Sequence, residues 1–411
     1  MSEAADLPLT VPTGAAWGPG FDAASATDAW IATIPAAERG KSDAYFEGGY
    51  WIEAWGALLT VAIAWLLLET RFSAGLRDFA ERRARSPGRQ TLIYCALFLL
   101  ALGVLGLPWA LYTGFYREHQ YGMSNQTLAA FLGERAISHA LVIALGSIAL
   151  TGIYAIMRRV RERWVPRAIA ATAVFVFFVN LAYPLFIAPL FNDFRSLPEG
   201  PVRESILALA RENSIPAEDV YWFDASRQTR RISANVAGIA GTTRIALNDN
   251  LLNGTSLPEI RAVMAHEMGH YALNHALWLP LATVLLLGVG YWAVNRLFGA
   301  VHARVGARYG VRDIADPAGL PLAMAIFAVV MYLLTPLSNS IVRIAENQAD
   351  AFGLEAAQEP QGFASVAMRL ASYRKIEPGR VEECIFFDHP SGRTRVMRSM
   401  RWLAAHPPQA P

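Results

Sequence analysis

The stretch AHEMGHYALNH, from Ala265 to His275, holds two histidines four positions apart with a glutamate directly after the first. On a helix, positions i and i+4 share a face, so His266 and His270 can offer ring nitrogens to one metal ion. Glu267 then points beside them, where it can hold a metal-bound water and take its proton. Three readings compete for this pattern: a zinc peptidase site, a metal-transport site within a membrane bundle, and ordinary polarity on a helix surface. A catalytic zinc takes three protein ligands and keeps one position open, so a third ligand has to come from elsewhere in the chain. The segment RIAENQADAFG, Arg343 to Gly353, offers Glu346 and Asp350, again four apart on an expected helix. Glu346 can complete a His2Glu set, and Asp350 can accept a hydrogen bond from a ligand imidazole and so fix its tautomer. The plain alternative is an acidic first turn meeting the helix dipole. Taken by itself, this segment favours the plain alternative.

The elements that must position these residues are legible in outline. SLPEIRAV opens the motif helix, with Ser256 as N-cap and Pro258 in its first turn. Upstream, VRESILALARE reads as a helix and VYWF as a strand. ISANVAGIAGTTRIALND (Ile232 to Asp249) reads as two β-prone runs around a glycine-containing turn, hence a hairpin. The strand around Ile232–Ile239 offers an edge on which an extended polypeptide can lie. The polar segment from Ser338 onward is expected to be helical to about Ile376, with a disordered HPPQAP tail.

Composition places these pieces in a membrane. Of 411 residues 54% are hydrophobic and 17% charged, against about 25% charged in a soluble globule. Crossing a bilayer as a helix takes about 20 mostly apolar residues. Six stretches qualify: Trp51–Leu68, which contains Glu53, then Thr91–Tyr116, Ala136–Met157, Ala168–Phe191, His275–Asn295 and Leu320–Leu337. Pro108, Pro184 and Pro280 suggest kinks within them. The first fifty residues hold neither a basic start nor an apolar core, so a cleavable signal peptide is not expected, and residues 1–48 read as a loosely ordered polar tail that docks at most through Trp17 or Trp30. Net charge is +2 with no basic face interleaved with aromatics, so no nucleic-acid partner is expected. The two cysteines, Cys95 and Cys384, neither form a CxxC knuckle nor suggest a disulfide framework.

The pair HEMGHYALNH and ENQADAFG resembles the CAAX prenyl protease type 1 family of integral-membrane zinc metalloproteases. GLPWALYTGFYREHQYGMSNQTL, IAPLFNDFRSLPEG, SANVAGIAGTTRIALNDNLL and DHPSGRTR agree with that family in order, from about residue 92 to 400. The resemblance implies one zinc per chain on His266, His270 and Glu346, with Glu267 as general base and Asp350 behind a ligand. It implies that Asn235, flanked by Ala234 and Val236, helps hold the substrate backbone. It also implies that His389 and Arg395 line the active site, where His389, with Arg395, would stabilise the oxyanion. The chain departs from eukaryotic members, which have seven spans and long insertions. This puts prenyl-peptide specificity in question and gives the chain a bacterial look.

The resulting expectation is a mainly α protein: a multi-pass bundle of about six spans with a small α+β, gluzincin-like zinc metallopeptidase domain. Its parts are the tail 1–48, four spans in 49–191, a catalytic loop domain in 192–274, two spans in 275–337, and a C-terminal catalytic segment in 338–411. The expected activity is that of a zinc metalloendopeptidase on extended polypeptides at the bilayer, in protein quality control or peptide processing. CAAX-type C-terminal processing is the alternative within that class. A zinc transporter is the rival from another class, but its ligands would lie near the bilayer midplane, whereas His266 and His270 precede a span and Glu346 follows one. The expected location is the cell (inner) membrane. There, two arguments collide on sidedness. Arginines crowd the first loop (Arg71, Arg77, Arg82, Arg83, Arg85, Arg89) and the third (Arg158, Arg159, Arg161, Arg163, Arg167), which by the positive-inside rule puts those loops in the cytoplasm. The family resemblance puts the active site there instead, and we follow it.

Overall fold

The computed structural model of the chain describes residues 7–238 and 243–408. Four helical stretches are long and apolar enough to cross a membrane: Ala36–Glu69, Pro87–Gln120, Leu128–Leu190 and His275–Tyr309. A fifth is a bent pair, Pro317–Leu333 and Thr335–Ala357, with 53° between its halves. The 63-residue stretch Leu128–Leu190 is a hairpin rather than one rod. Arg161, at φ 35°, breaks it, and Gln228 Nε2 donates both to Glu134 Oε1 near its start (2.8 Å) and to Phe191 O just past its end (3.0 Å). The chain therefore returns to the end it left, and this stretch supplies two apolar helices, Leu128–Val160 and Trp164–Ala182.

Two expectations at the ends of the chain need correction. The N-terminal segment is not a loose tail, because Ala23–Ile31 is a helix capped by Asp22. Trp30 is buried against the C-terminal helices, and its Nε1 donates to Gln361 Oε1 at 3.0 Å. Trp17 remains exposed. The first spanning helix begins at Ala36, so a boundary at residue 48 falls inside it. Apolar cohesion explains the docking: Ile31, Ala364, Met400 and Leu403 close one core around Trp30. At the other end, helical structure continues past Ile376 through Arg380–Phe386 and Gly392–Ala405; the last three residues of the expected disordered tail lie outside the described residues.

Between the spans sits a four-stranded sheet of order β1-β2-β4-β3: β1 Phe194–Ser196, β2 Val220–Phe223, β3 Ala234–Ala237 and β4 Arg244–Asn248. The expected hairpin is present as the antiparallel β3–β4 pair, with Asn235 opposite Ala246; its turn, 239–242, lies outside the described residues. β2 and β4 run parallel. β3 is an edge strand, its outer rim unpaired within the sheet.

The motif helix Leu257–Ala272 packs across this sheet and against the acidic helix Thr335–Ala357. It starts with a capping box in which Ser256 and Glu259 satisfy each other. Glu259 is fully buried and also accepts from Ser365 at 2.6 Å and from Arg369. Two glycines let the motif and acidic helices touch. A Cβ on Gly269 would lie 3.1 Å from Ala349 Cα, and one on Gly353 would lie 2.9 Å from the His266 backbone nitrogen. Backbone contact at this range brings the histidines of one helix within reach of the acids of the other.

The arginine-rich connections gather at the far end of the bundle. Arg71 Nε donates to Arg308 O at 2.9 Å, Arg77 Nη1 to Asp316 Oδ2 at 2.7 Å, and Arg158 Nη1 to the Thr91 hydroxyl at 3.0 Å.

Candidate active site

His266 and His270 project from adjacent turns of the motif helix, and Glu346 meets them from the acidic helix. One donor atom from each lies within 4.8 Å of the other two, and the two carboxylate oxygens each face one imidazole. His266 Nε2 lies 3.2 Å from His270 Nε2 and 3.2 Å from Glu346 Oε2, while His270 Nε2 lies 3.4 Å from Glu346 Oε1. Metal–ligand bonds of about 2.0–2.1 Å in a tetrahedron put neighbouring donors roughly 3.4 Å apart, so the three fit a zinc-sized cation. Glu346 Oε2 is also buried with no hydrogen-bond partner, which such a cation would relieve.

The outer ring atoms fix which nitrogens face inward. His266 Nδ1 donates to Asp350 Oδ1 at 2.9 Å. Asp350 is held in turn by Arg395 Nε at 3.0 Å and Arg398 Nη1 at 3.2 Å. On the other side, Gln348 Oε1 accepts from His275 Nε2 at 3.1 Å, which leaves His275 Nδ1 to accept from His270 Nδ1 at 2.9 Å. Both motif histidines thus turn Nε2 toward the site, where each would bind a metal ion once deprotonated.

The electrostatics follow from these contacts. Burial works against ionising Glu346, but the imidazoles of His266 and His270 facing it outweigh that and hold the carboxyl well below its usual range. For Asp350, burial is likewise outweighed by the Arg395 charge and the His266 contact, with the same result. Burial alone would lower the His266 pKa, yet the two carboxylates on its ring push it up to about 9 without metal. Glu267 shares a pocket of about 150 Å³ with His266, Glu346, His389 and Arg395. Burial raises its carboxyl pKa, the direction that makes a carboxylate a better base.

The C-terminal segment does fold back. His389 Nε2 lies 3.2 Å from Glu346 Oε2, while its Nδ1 is tied to Asp388 Oδ1 at 2.8 Å. Arg395 lines the same pocket, but its Nε and Nη2 are engaged by Asp350, behind His266. Ala234 lines the pocket with Ile232 and Ser233. Asn235 is exposed on the opposite face of β3 and does not line that pocket, while Val236 packs against the core.

Sequence reasoning missed His275, Gln348, Arg398 and Arg374. His275 was legible as the last residue of the quoted motif, five after His270, but it reads equally as the start of a span. Arg374 lines both the metal pocket and an adjoining cavity of about 970 Å³ that opens toward Tyr45, Glu53, Arg117 and Glu134 on the spans.

Comparisons with known proteins agree with this geometry. Residues 196–410 match the model of peptidase family M48, and residues 27–193 match that of the CAAX prenyl protease N-terminal segment, described as five membrane helices. In this chain that segment holds four of the apolar helices. An uncharacterized metalloprotease of Bacillus subtilis, YhfN, is 28% identical over 84% of this chain and 81% of its own length. The CAAX prenyl protease 1 homolog of rice is 31% identical over 70% of this chain and 68% of its own length. The crystal structure of Saccharomyces mikatae Ste24p superposes with a TM-score of 0.70 at 22% identity, covering 90% of this chain and 89% of that one, a likeness of fold. A zinc transporter finds no support in these matches. The chain belongs to peptidase family M48 and is a multi-pass integral-membrane metallopeptidase.

Proposed function

We propose that this peptidase is a zinc enzyme, one ion per chain on His266, His270 and Glu346, that trims membrane-associated polypeptides in quality control. The observation that supports the ligand assignment is the donor cluster with its two outward-anchored imidazoles. Zinc bound there supplies Lewis acidity that polarises the scissile carbonyl and lowers the pKa of a water. Glu267 takes the proton from that water and hands it to the leaving amine. His389 donates from Nε2 to the carbonyl oxygen as negative charge develops, with Asp388 holding its other nitrogen. Arg395 and Arg398 keep Asp350 charged and in line behind His266. The unpaired rim of β3 takes the substrate as an added extended strand, with Ala234 facing the site and Asn235 and Val236 beside it. Recognition through backbone hydrogen bonds reads little of the side chains, which suits broad selectivity. The catalytic unit comprises 192–274 and 338–411, with the N-terminal helix docked on it.

Metal analysis and digestion of casein peptides by the purified protein test the first part: about one zinc per chain and chelator-sensitive endoproteolysis are expected. Proteomics of cells carrying a Glu267→Gln trap identifies substrates. Enrichment of intact membrane polypeptides supports quality control, whereas enrichment of lipid-modified C-terminal peptides would favour CAAX-type processing.

The catalytic end is placed in the cytosol of the cell (inner) membrane, following the family rather than the arginine-rich loops. Cys384 is exposed at that end and Cys95 is buried, so the natural chain reports on its own orientation. A membrane-impermeant thiol reagent should label Cys384 only after permeabilisation; strong labelling in intact cells would reverse the assignment.

A further inference from the structure

Four arginines line the metal pocket and the cavity that adjoins it: Arg117, Arg231, Arg374 and Arg395. Three have a hydrogen-bond partner, although Arg231 keeps one buried nitrogen, Nε, without one. Arg117 donates to Tyr45 O, Arg231 to Glu118 Oε2 at 2.7 Å, and Arg395 to Asp350. Among the described residues, the Arg374 side chain makes no hydrogen bond, and no carboxylate lies within salt-bridge distance of it. Its Nη1 is buried without a partner. The next residue shows what ordinary satisfaction looks like here: Lys375 Nζ donates to Glu47 at 2.6 Å and to Glu382 at 2.8 Å.

Leaving a buried guanidinium N–H unpaired is costly, and arginines are rarely buried alone. The cost persists where a ligand completes the site. Arg374 sits where one could, since it is the arginine shared by the metal pocket and the large cavity. The acids nearby do not serve it. Glu346 is committed to the histidines, and Asp388 to His389. The planar fork of an arginine matches a carboxylate in a two-pronged contact.

We propose that Arg374 anchors a carboxylate of the bound polypeptide close to the scissile bond, and so sets which bonds this otherwise backbone-reading enzyme cuts. The inference rests on the peptidase reading above. Two sources supply the same chemistry: the free α-carboxylate of a substrate's C-terminus, and an Asp or Glu side chain near the cut. A terminal carboxylate would restrict cleavage to the last few residues of a chain. An acidic side chain would allow internal cleavage.

The test uses the full-length, zinc-loaded enzyme in detergent. A casein peptide that it cleaves is resynthesised as the free acid, as the C-terminal amide, and with each acidic residue near the cut changed to its amide. One carboxylate-to-amide exchange should lower kcat/KM about tenfold, mainly through KM. In Arg374→Gln at matched zinc content, that ratio should collapse to about one. Arg374→Lys keeps the charge but not the fork and should retain part of the ratio; it also serves if the glutamine variant does not fold. The position of the sensitive exchange separates the two sources. If no exchange matters in the wild type, or if the ratio survives in Arg374→Gln, the cation is only hydrated and the inference is wrong. If the wild type cuts no peptide in a chelator-sensitive way, the peptidase reading itself falls and this inference with it.

Discussion

At the far end of the bundle, the buried carboxylate of Asp316 is filled. It accepts from Arg77 Nη1 at 2.7 Å, from the Arg312 amide at 2.9 Å and from the Ala318 amide at 3.1 Å. Glu346 is comparably buried at the metal end, yet one oxygen has no hydrogen-bond partner, and three imidazoles stand within 3.4 Å of its carboxylate. Both ends bury charge. The far end closes its network with an arginine and backbone amides, which ties the helix Phe72–Arg83 to the connection after Tyr309. The metal end surrounds its acid with imidazoles whose inner nitrogens face the space a cation would take. A buried ionic group whose partners are all protein is structural; one with unfilled valence is waiting for a ligand.

The contrast predicts that losses at the metal end fall on chemistry and losses at the far end fall on folding. The largest effect belongs to Glu267→Gln. The amide cannot accept the water's proton, so turnover should drop about 10³-fold or more, while metal content stays near that of the wild type. Wild-type cleavage of casein peptides by this variant would end the assigned mechanism.

Next comes Asp316→Ala, which takes one of two carboxylates from the buried Arg77, Asp78 remaining, and strands the Arg312 and Ala318 amides. Breaking such a pair costs about 3–5 kcal/mol, to be read in mixed-micelle unfolding titrations. The folded fraction should retain its turnover, and a selective loss of kcat would erase the distinction between the two ends.

His389→Ala should lower kcat about 10²-fold, corresponding to about 2.7 kcal/mol, with far less change in the Michaelis constant. Steady-state kinetics on zinc-loaded protein decides this; unchanged kcat would reduce His389 to a turn residue before Pro390.

Metal binding should also depend on pH. His266 is raised to about 9 in the metal-free protein, so below that value the metal has to displace its proton. Affinity should therefore climb about tenfold per pH unit as pH rises toward 9, then level off. Competition against a chelator whose own protonation is known measures the slope, and a flat profile would show that the ring is already neutral.

The smallest effect is expected from His275→Leu, which removes the acceptor holding the His270 ring. Metal affinity should fall about tenfold in the same competition assay. Unaltered affinity would show that packing alone orients the ring.

How far the sequence carried can be seen residue by residue. His266, Glu267 and His270 are local: a 3.6-residue repeat fixes their common face whatever surrounds the helix. The spans were equally local, because about twenty apolar residues have few other uses, whereas the two ends of the chain were misjudged, the N-terminal segment most. Its apolar residues are too sparse to announce a core, and Trp30 becomes buried only because the C-terminal helices, more than 300 residues later, supply the other half.

Glu346 and Asp350 mark the boundary of what sequence determines. Their spacing guaranteed that they share a face of one helix, but not that the face meets the motif helix. That was decided by tertiary packing through Gly269 and Gly353, which bring two backbones into contact. The same holds for Arg395, which only the fold sets against Asp350, and for Arg374. A charge in a sequence carries no sign of whether it will find a partner. Hydrogen-bond satisfaction is a property of the three-dimensional surroundings, so an arginine without a counter-ion exists only once the chain has folded around it.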